Sequence, residues 1–151
     1  MKPKQKQHPV VDVTGDGSKV QCCRQQYCIG TWNVRCMNQG KLEVVKQEMA
    51  RVKFDILGIS ELKWTGIGEF NSDDHYIQYC GQESLRGNGV AIIVHKSLKC
   101  STWMQSQTNK QTNRMISVHF RQTIHITVIQ VCSPTSNAEE VERFYETYKT
   151  F

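Results

Sequence analysis

Residues Gly40–Glu61 read GKLEVVKQEMARVKFDILGISE, and the pattern changes period in the middle. Leu42, Val45, Met49 and Val52 recur at three- and four-residue steps, which sets them on one stripe of a helix over 40–52. From Phe54 that period is lost. Phe54, Ile56, Leu57 and Ile59 load both faces of FDILGIS (54–60), as in a strand inside a covered sheet. Upstream, YCIGTWNV (Tyr27–Val34) is rich in aromatic and branched residues and predicts another strand. Strand, helix, strand is a βαβ unit, whose crossover is right-handed and whose strands are parallel. Both strands then finish at the same edge of the sheet. Asn33 ends the first and Glu61 follows the second, so the two are expected to be neighbours. An acid behind so apolar a strand has two readings from the residues alone, a solvated strand end or a metal ligand.

Further along, HYIQYC (75–80) and GVAIIV (89–94) predict strands, with a loop containing RGNG between them. RMISVHF and IHITVIQV, separated by Arg121, Gln122 and Thr123, predict an antiparallel hairpin. On it, His119 and His125 are expected to face each other, two imidazoles without the third ligand a metal site needs. PTSNAEEVERFYETYK carries a Ser136/Asn137 cap and early acids, then Val141, Phe144, Tyr145 and Tyr148 on one face, which predicts a helix. Residues 1 to about 24 are polar and aperiodic and read as a flexible leader.

The chain has 151 residues, enough for one domain with a real core. Its net charge of +5 and pI near 8.8 lean towards a phosphate-bearing partner. Seven cysteines, an odd number without a C-x-x-C pair, fit reduced thiols in an intracellular protein, nuclear or cytoplasmic. No apolar run reaches the roughly 18 residues of a membrane span, and no apolar segment follows the basic start MKPKQKQHPV. Lys2, Lys4 and Lys6 fit a disordered tail. Lys63, Trp64, Arg86, Lys96, Lys99, Trp103, Lys110 and Arg114 are basic and aromatic residues a DNA backbone can use, scattered along the sequence. Trp32, beside Asn33, is expected in the core.

IGTWNVR, ILGISELKW, GVAIIV, MISVHF and ITVIQVCSPTSNAEE occur here in an order that resembles the endonuclease/exonuclease/phosphatase superfamily. Within it, the similarity is to the endonuclease domain of RTE-like LINE retrotransposons, over roughly residues 26–149. The resemblance implies a four-layer α/β sandwich of the DNase I-like kind, two sheets face to face with helices outside. It implies Mg²⁺ (or Mn²⁺) as cofactor and DNA as the partner of the intact family. Asn33 falls at the family Asn that orients metal and phosphate, and Glu61 at the metal-binding Glu. A single carboxylate suits Mg²⁺, which keeps several waters and accepts a phosphate oxygen.

Two departures stand out. Cys132 occupies the place of a family Tyr, and a thiol is a shorter and poorer donor than a phenol. No Asp-x-Asn motif follows Pro134, and no Ser-Asp-His motif follows it either. Asp73, Asp74 and His75 in NSDDHY (71–76) imitate the latter, but directly after the second strand rather than after the last ones. His75 is expected as a solvated loop or strand-start residue. The expectation is therefore an N-terminal, truncated part of the sandwich over 25–151, holding half a metal site and inactive alone. It would supply the first sheet only, leaving one apolar face bare and prone to self-association. A non-catalytic nucleic-acid or protein binding module, or a piece of another phosphatase of the superfamily, are the alternatives.

Overall fold

The computed structural model describes residues 26–38, 40–83, 87–100, 103–108, 114–121, 125–134 and 138–150. The leader with its lysines, Arg86, Lys110, the turn residues Gln122 and Thr123 and the Ser136/Asn137 cap lie outside the described residues, as do the side chains of Lys99 and Trp103.

The βαβ unit forms as its periodicities dictate. Strand β1 (Ile29–Asn33), helix α1 (Lys41–Val52) and strand β2 (Ile56–Ser60) follow one another. β1 and β2 pair in parallel, with Asn33 opposite Ser60. α1 is closed by Lys53 in the left-handed region, whose N–H reaches the Met49 carbonyl. Val45 and Met49 are buried and Leu42 packs beside them, but Val52, in the last turn, is exposed.

Four more elements extend this unit: β3 (Ile67–Ser72), β4 (His75–Gly81), β5 (Gly89–His95) and the short helix α2 (Lys96–Cys100). The strands order as β1-β2-β5-β4-β3, a mixed sheet in which only β1 and β2 are parallel. β3 has no counterpart in the sequence reading. IGEFNS alternates exposed and half-buried positions and offers no apolar run, so tertiary pairing with β4 decides it.

The rest of the chain makes a second sheet. β6 (Trp103–Thr108), β7 (Met115–Arg121) and β8 (His125–Val131) pair antiparallel in that order, and helix α3 (Ala138–Thr150) follows. The predicted hairpin is β7–β8, but its register sets His119 opposite Thr127, with Nδ1 2.8 Å from Oγ1, and His125 opposite Arg121. The two histidines therefore do not face each other.

This second sheet corrects the expectation of a bare apolar face. One face of the large sheet packs Leu57, Ile59, Ile77, Ala91 and Ile93 against Val45 and Met49 of α1. The opposite face packs Ile56, Cys80, Val90, Ile92 and Val94 against Ile116, Val118 and Phe120 of β7. Each fully buried Ile or Val contributes on the order of 1.5–3 kcal/mol, and the alternation along β2 and β5 divides that gain between two cores. The chain is a mixed α/β protein in which two sheets already sit face to face.

The approach of the sheets is set by a small residue. A Cβ on Gly58 would lie 1.8 Å from Gln130 Oε1, and that oxygen accepts a bond from Thr31 Oγ1 at 3.1 Å. Gly58 leaves the space through which β8 reaches β1 and β2.

Two further expectations about burial are corrected. Trp32 is 39% exposed, because β1 is an edge strand with one neighbour and little over either face. On α3, Phe144 is buried while Tyr145 and Tyr148 are exposed, so the contact is narrower than the predicted face. α3 is anchored at its start, where Glu140 Oε1 accepts from Arg114 Nη2 at 2.6 Å and Nε at 2.9 Å.

Candidate functional site

Parallel pairing carries the ends of β1 and β2 to one corner of the sheet, and Asn33 and Glu61 meet there. Asn33 Nδ2 donates to Glu61 Oε1 at 2.7 Å, and Asn33 Oδ1 accepts from the Arg35 amide at 3.0 Å. The side-chain amide is thus used at both ends: it orients the carboxylate and fixes the start of the following loop. Glu61 Oε2 keeps no protein partner among the described residues. Asn33 is exposed and Glu61 half-buried, so the open oxygen is accessible to solvent.

The two chain segments leaving this corner are laced together. Val34 N reaches Ser60 O (3.1 Å), Cys36 N reaches Glu61 O (2.8 Å) and Met37 N reaches Leu62 O (3.0 Å). Lys41, at the start of α1, donates from Nζ to Val34 O (2.6 Å) and Cys36 O (2.9 Å). Trp64 Nε1 donates to Met37 O at 2.8 Å. These bonds hold four non-glycine residues at positive φ: Arg35 (51°), Cys36 (114°), Glu61 (55°) and Lys63 (60°). Such backbone costs on the order of 1–3 kcal/mol per residue and persists where surroundings over-determine it, often at functional sites. Nothing in the sequence signals it, since none of the four is a glycine.

The donor set limits which ion fits. Among the described residues no group of three His, Cys, Asp or Glu comes together to hold a metal. That excludes a closed zinc or calcium cage built from them. One carboxylate oxygen held by an amide and one left open does suit a hydrated Mg²⁺, which takes one or two carboxylates and keeps its other positions for water and phosphate. Asn33, with its oxygen engaged by the Arg35 amide, serves here as the orienting group for Glu61.

Cys132 lies just past β8. Its amide donates to Arg114 O (2.9 Å), its carbonyl accepts from Arg114 Nη1 (3.4 Å), and its side chain packs on the core between the sheets. These contacts tie it to Arg114, just before β7, and to the core between the sheets, and among the described residues none joins it to Asn33 or Glu61.

The carboxylate–histidine cluster Asp73, Asp74 and His75 is at the other end of the sheet. Ser60 pairs with Val90, Val90 with Cys80, and His75 with His95. His75 is thus five residues along β4 from the level of the Asn33–Glu61 corner, about 17 Å at 3.3 Å per residue. It is a strand-start residue but not a solvated one, being 7% exposed, with its ring 5.3 Å from that of His95. Burial, followed by the charges of His95 and Lys46, holds its pKa below the ordinary value. Asp73, at the adjoining turn, is ion-paired with Lys46 of α1, which also pairs with Glu43 at 2.6 Å. That hydrogen bond and charge pull the Asp73 carboxyl below its usual range.

Fold and corner together define a mixed α/β chain with an oriented, accessible carboxylate where two parallel strands end. No family model matches it. Over 146 residues it is 61% identical to Craniofacial development protein 2 of Bos taurus and 60% identical to Craniofacial development protein 2 of Tragulus javanicus. Those alignments cover 95% of this chain but 24% and 25% of the two proteins, so the chain spans about a quarter of the length of the curated relatives it matches. No helix among the described residues is long and apolar enough to cross a membrane.

Proposed function

We propose that this chain carries part of a Mg²⁺-dependent DNA endonuclease site of retrotransposon origin, one that binds and positions a phosphodiester without hydrolysing it by itself. The observation that carries the reading is the Asn33–Glu61 hydrogen bond at the ends of two parallel strands. It leaves one carboxylate oxygen oriented and open. The ordered resemblance of IGTWNVR, ILGISELKW and ITVIQVCSPTSNAEE to such endonucleases supports the choice of substrate.

Glu61 would hold the ion, and Asn33 would keep the carboxylate turned towards it. When bound, Mg²⁺ supplies Lewis-acid polarisation of a phosphoryl oxygen and neutralises its charge. The chain's own share is placement. Lys41 and Trp64 fix the two loops, and Arg35, exposed beside the corner, offers a guanidinium to a neighbouring phosphate. Among the described residues Glu61 is the carboxylate held at the corner, and the sequence contains neither downstream motif, so under this proposal no turnover is expected from this chain alone.

The test is fluorescence anisotropy of a labelled DNA duplex, with Mg²⁺ or with EDTA, beside a plasmid-nicking assay. Mg²⁺ should tighten binding to the wild-type chain and not to Glu61→Gln, and nicking should stay at background. Salt-dependent binding indifferent to both Mg²⁺ and Glu61 would instead establish a non-catalytic nucleic-acid module. Robust nicking lost in Glu61→Ala would show that the corner is a complete catalyst. Tighter Mg²⁺-dependent binding of an inositol phosphate than of DNA would move the chain to the phosphatase branch.

A further inference from the structure

Between the two laced loops lies a cavity of about 460 Å³, lined by Cys36, Met37, Asn38, Lys63, Trp64, Thr65 and Tyr79. That volume falls in the range of small-ligand sites. Its lining has a distinct chemistry. Lys63 brings a positive charge, and it has no carboxylate partner among the described residues. The lining contains no acid. Asn38 and Thr65 add an amide and a hydroxyl. Trp64 and Tyr79 make an aromatic wall, their rings 5.2 Å apart and nearly perpendicular.

The walls are built before any ligand arrives. The Trp64 indole is anchored on Met37 O, Cys36 Sγ donates to Asn38 Oδ1 at 2.7 Å, and Lys41 clamps the carbonyls of Val34 and Cys36. Behind Trp64, Gly81 leaves room for the loop: a Cβ there would lie 1.9 Å from the Trp64 carbonyl. Cys36 and Lys63, one from each of the two loops that line the cavity, both sit at positive φ. A ligand suited to this space needs an anion for Lys63, a flat apolar surface for the aromatic wall, and polar edges for Asn38 and Thr65. A nucleotide has all three.

We infer that this cavity is a nucleotide subsite, with Lys63 on the phosphate and the Trp64–Tyr79 wall against the base. The inference deepens the proposed function and rests on it for what the subsite serves, namely holding one nucleotide unit of a strand whose phosphodiester lies at the Asn33–Glu61 corner. Its binding chemistry is independent of metal.

Trp64 makes the cavity its own reporter. The full chain is titrated in EDTA with thymidine 5′-monophosphate and, separately, with a short oligothymidylate, while tryptophan emission is followed. Saturable quenching is expected. It should be lost in Trp64→Phe, weakened about tenfold or more in Lys63→Gln, as for a hydrogen bond to a charged group, and retained in Lys63→Arg. Binding of the mononucleotide alone would assign the cavity to free nucleotides, and binding of the oligonucleotide would assign it to a strand. Quenching that survives in Trp64→Phe, or an affinity unmoved in a folded Lys63→Gln, overturns the subsite. So does the absence of binding by both probes. Because EDTA is present throughout, an unsuccessful metal site cannot silence the signal, and the two readings fail separately.

Discussion

The two ends of the five-stranded sheet each gather acids and polar groups, yet they differ in kind. At one end Glu61 is held by a neutral amide and keeps an open oxygen. At the other, Asp73 is neutralised by Lys46, and His75 is buried against His95. The first end leaves a carboxylate oxygen open, in a corner where four residues sit at positive φ. The second consumes its charges internally, joining a turn to α1. Adjacency in sequence thus leaves Asp73 and His75 engaged by other partners, while the crossover brings Asn33 and Glu61 together from 28 positions apart.

The comparison can be tested, beginning with what both ends share. Ile92 lies between the sheets and is fully buried. Ile92→Ala should cost about 2–5 kcal/mol in urea unfolding and weaken both ends together. Loss confined to one end would mean that the cores unfold separately. Next in size is the response to Mg²⁺. At tenfold excess over its dissociation constant the ion should stabilise the chain by about 1.4 kcal/mol. Glu61→Gln should abolish that gain and His75→Gln should leave it intact; the reverse pattern would exchange the roles of the two ends.

A smaller effect concerns pH. His75 has a depressed folded pKa, so the unfolded chain binds the proton more readily. Its contribution is fully present above the unfolded value of about 6.5 and is lost as pH falls through that value towards the folded pKa. His95, Lys46, Asp74 and Asp73 face the same ring, so the decisive quantity is the difference from His75→Gln. Thermal melts should show a shallower decline on acidification in the variant. Equal slopes would show that His75 takes no part. The smallest expected effect is Glu61→Gln without metal, within about 0.5 kcal/mol of wild type, since a half-buried strand-end acid supports little packing.

What could be read from sequence follows from what each signal encodes. The period change after Val52 is local, and the handedness of a crossover is nearly invariant, so the meeting of Asn33 and Glu61 was legible. β3 was not, because IGEFNS has no pattern of its own and takes its shape from β4. The cover supplied by β7 was not legible either, for a different reason. MISVHF announces a strand but not which sheet it faces, and that depends on packing between segments far apart in the chain. Trp32 misled because a large aromatic residue carries no mark of its strand being at an edge. The cavity was visible only as Lys63 and Trp64 among scattered basic and aromatic residues, since its shape rests on backbone angles that composition does not record.

Gly58 has a consequence for how this sequence can drift. Position 58 has no smaller residue available to it, and its space is filled by the amide of Gln130, 72 positions away. Mutational traffic between the sheets is therefore one-way. Position 130 can shorten while 58 stays glycine, but position 58 can enlarge only after 130 has retracted. In a collection of variants selected for folding, the two positions should change in that order, and a methyl group at 58 should coincide with a shortened side chain at 130.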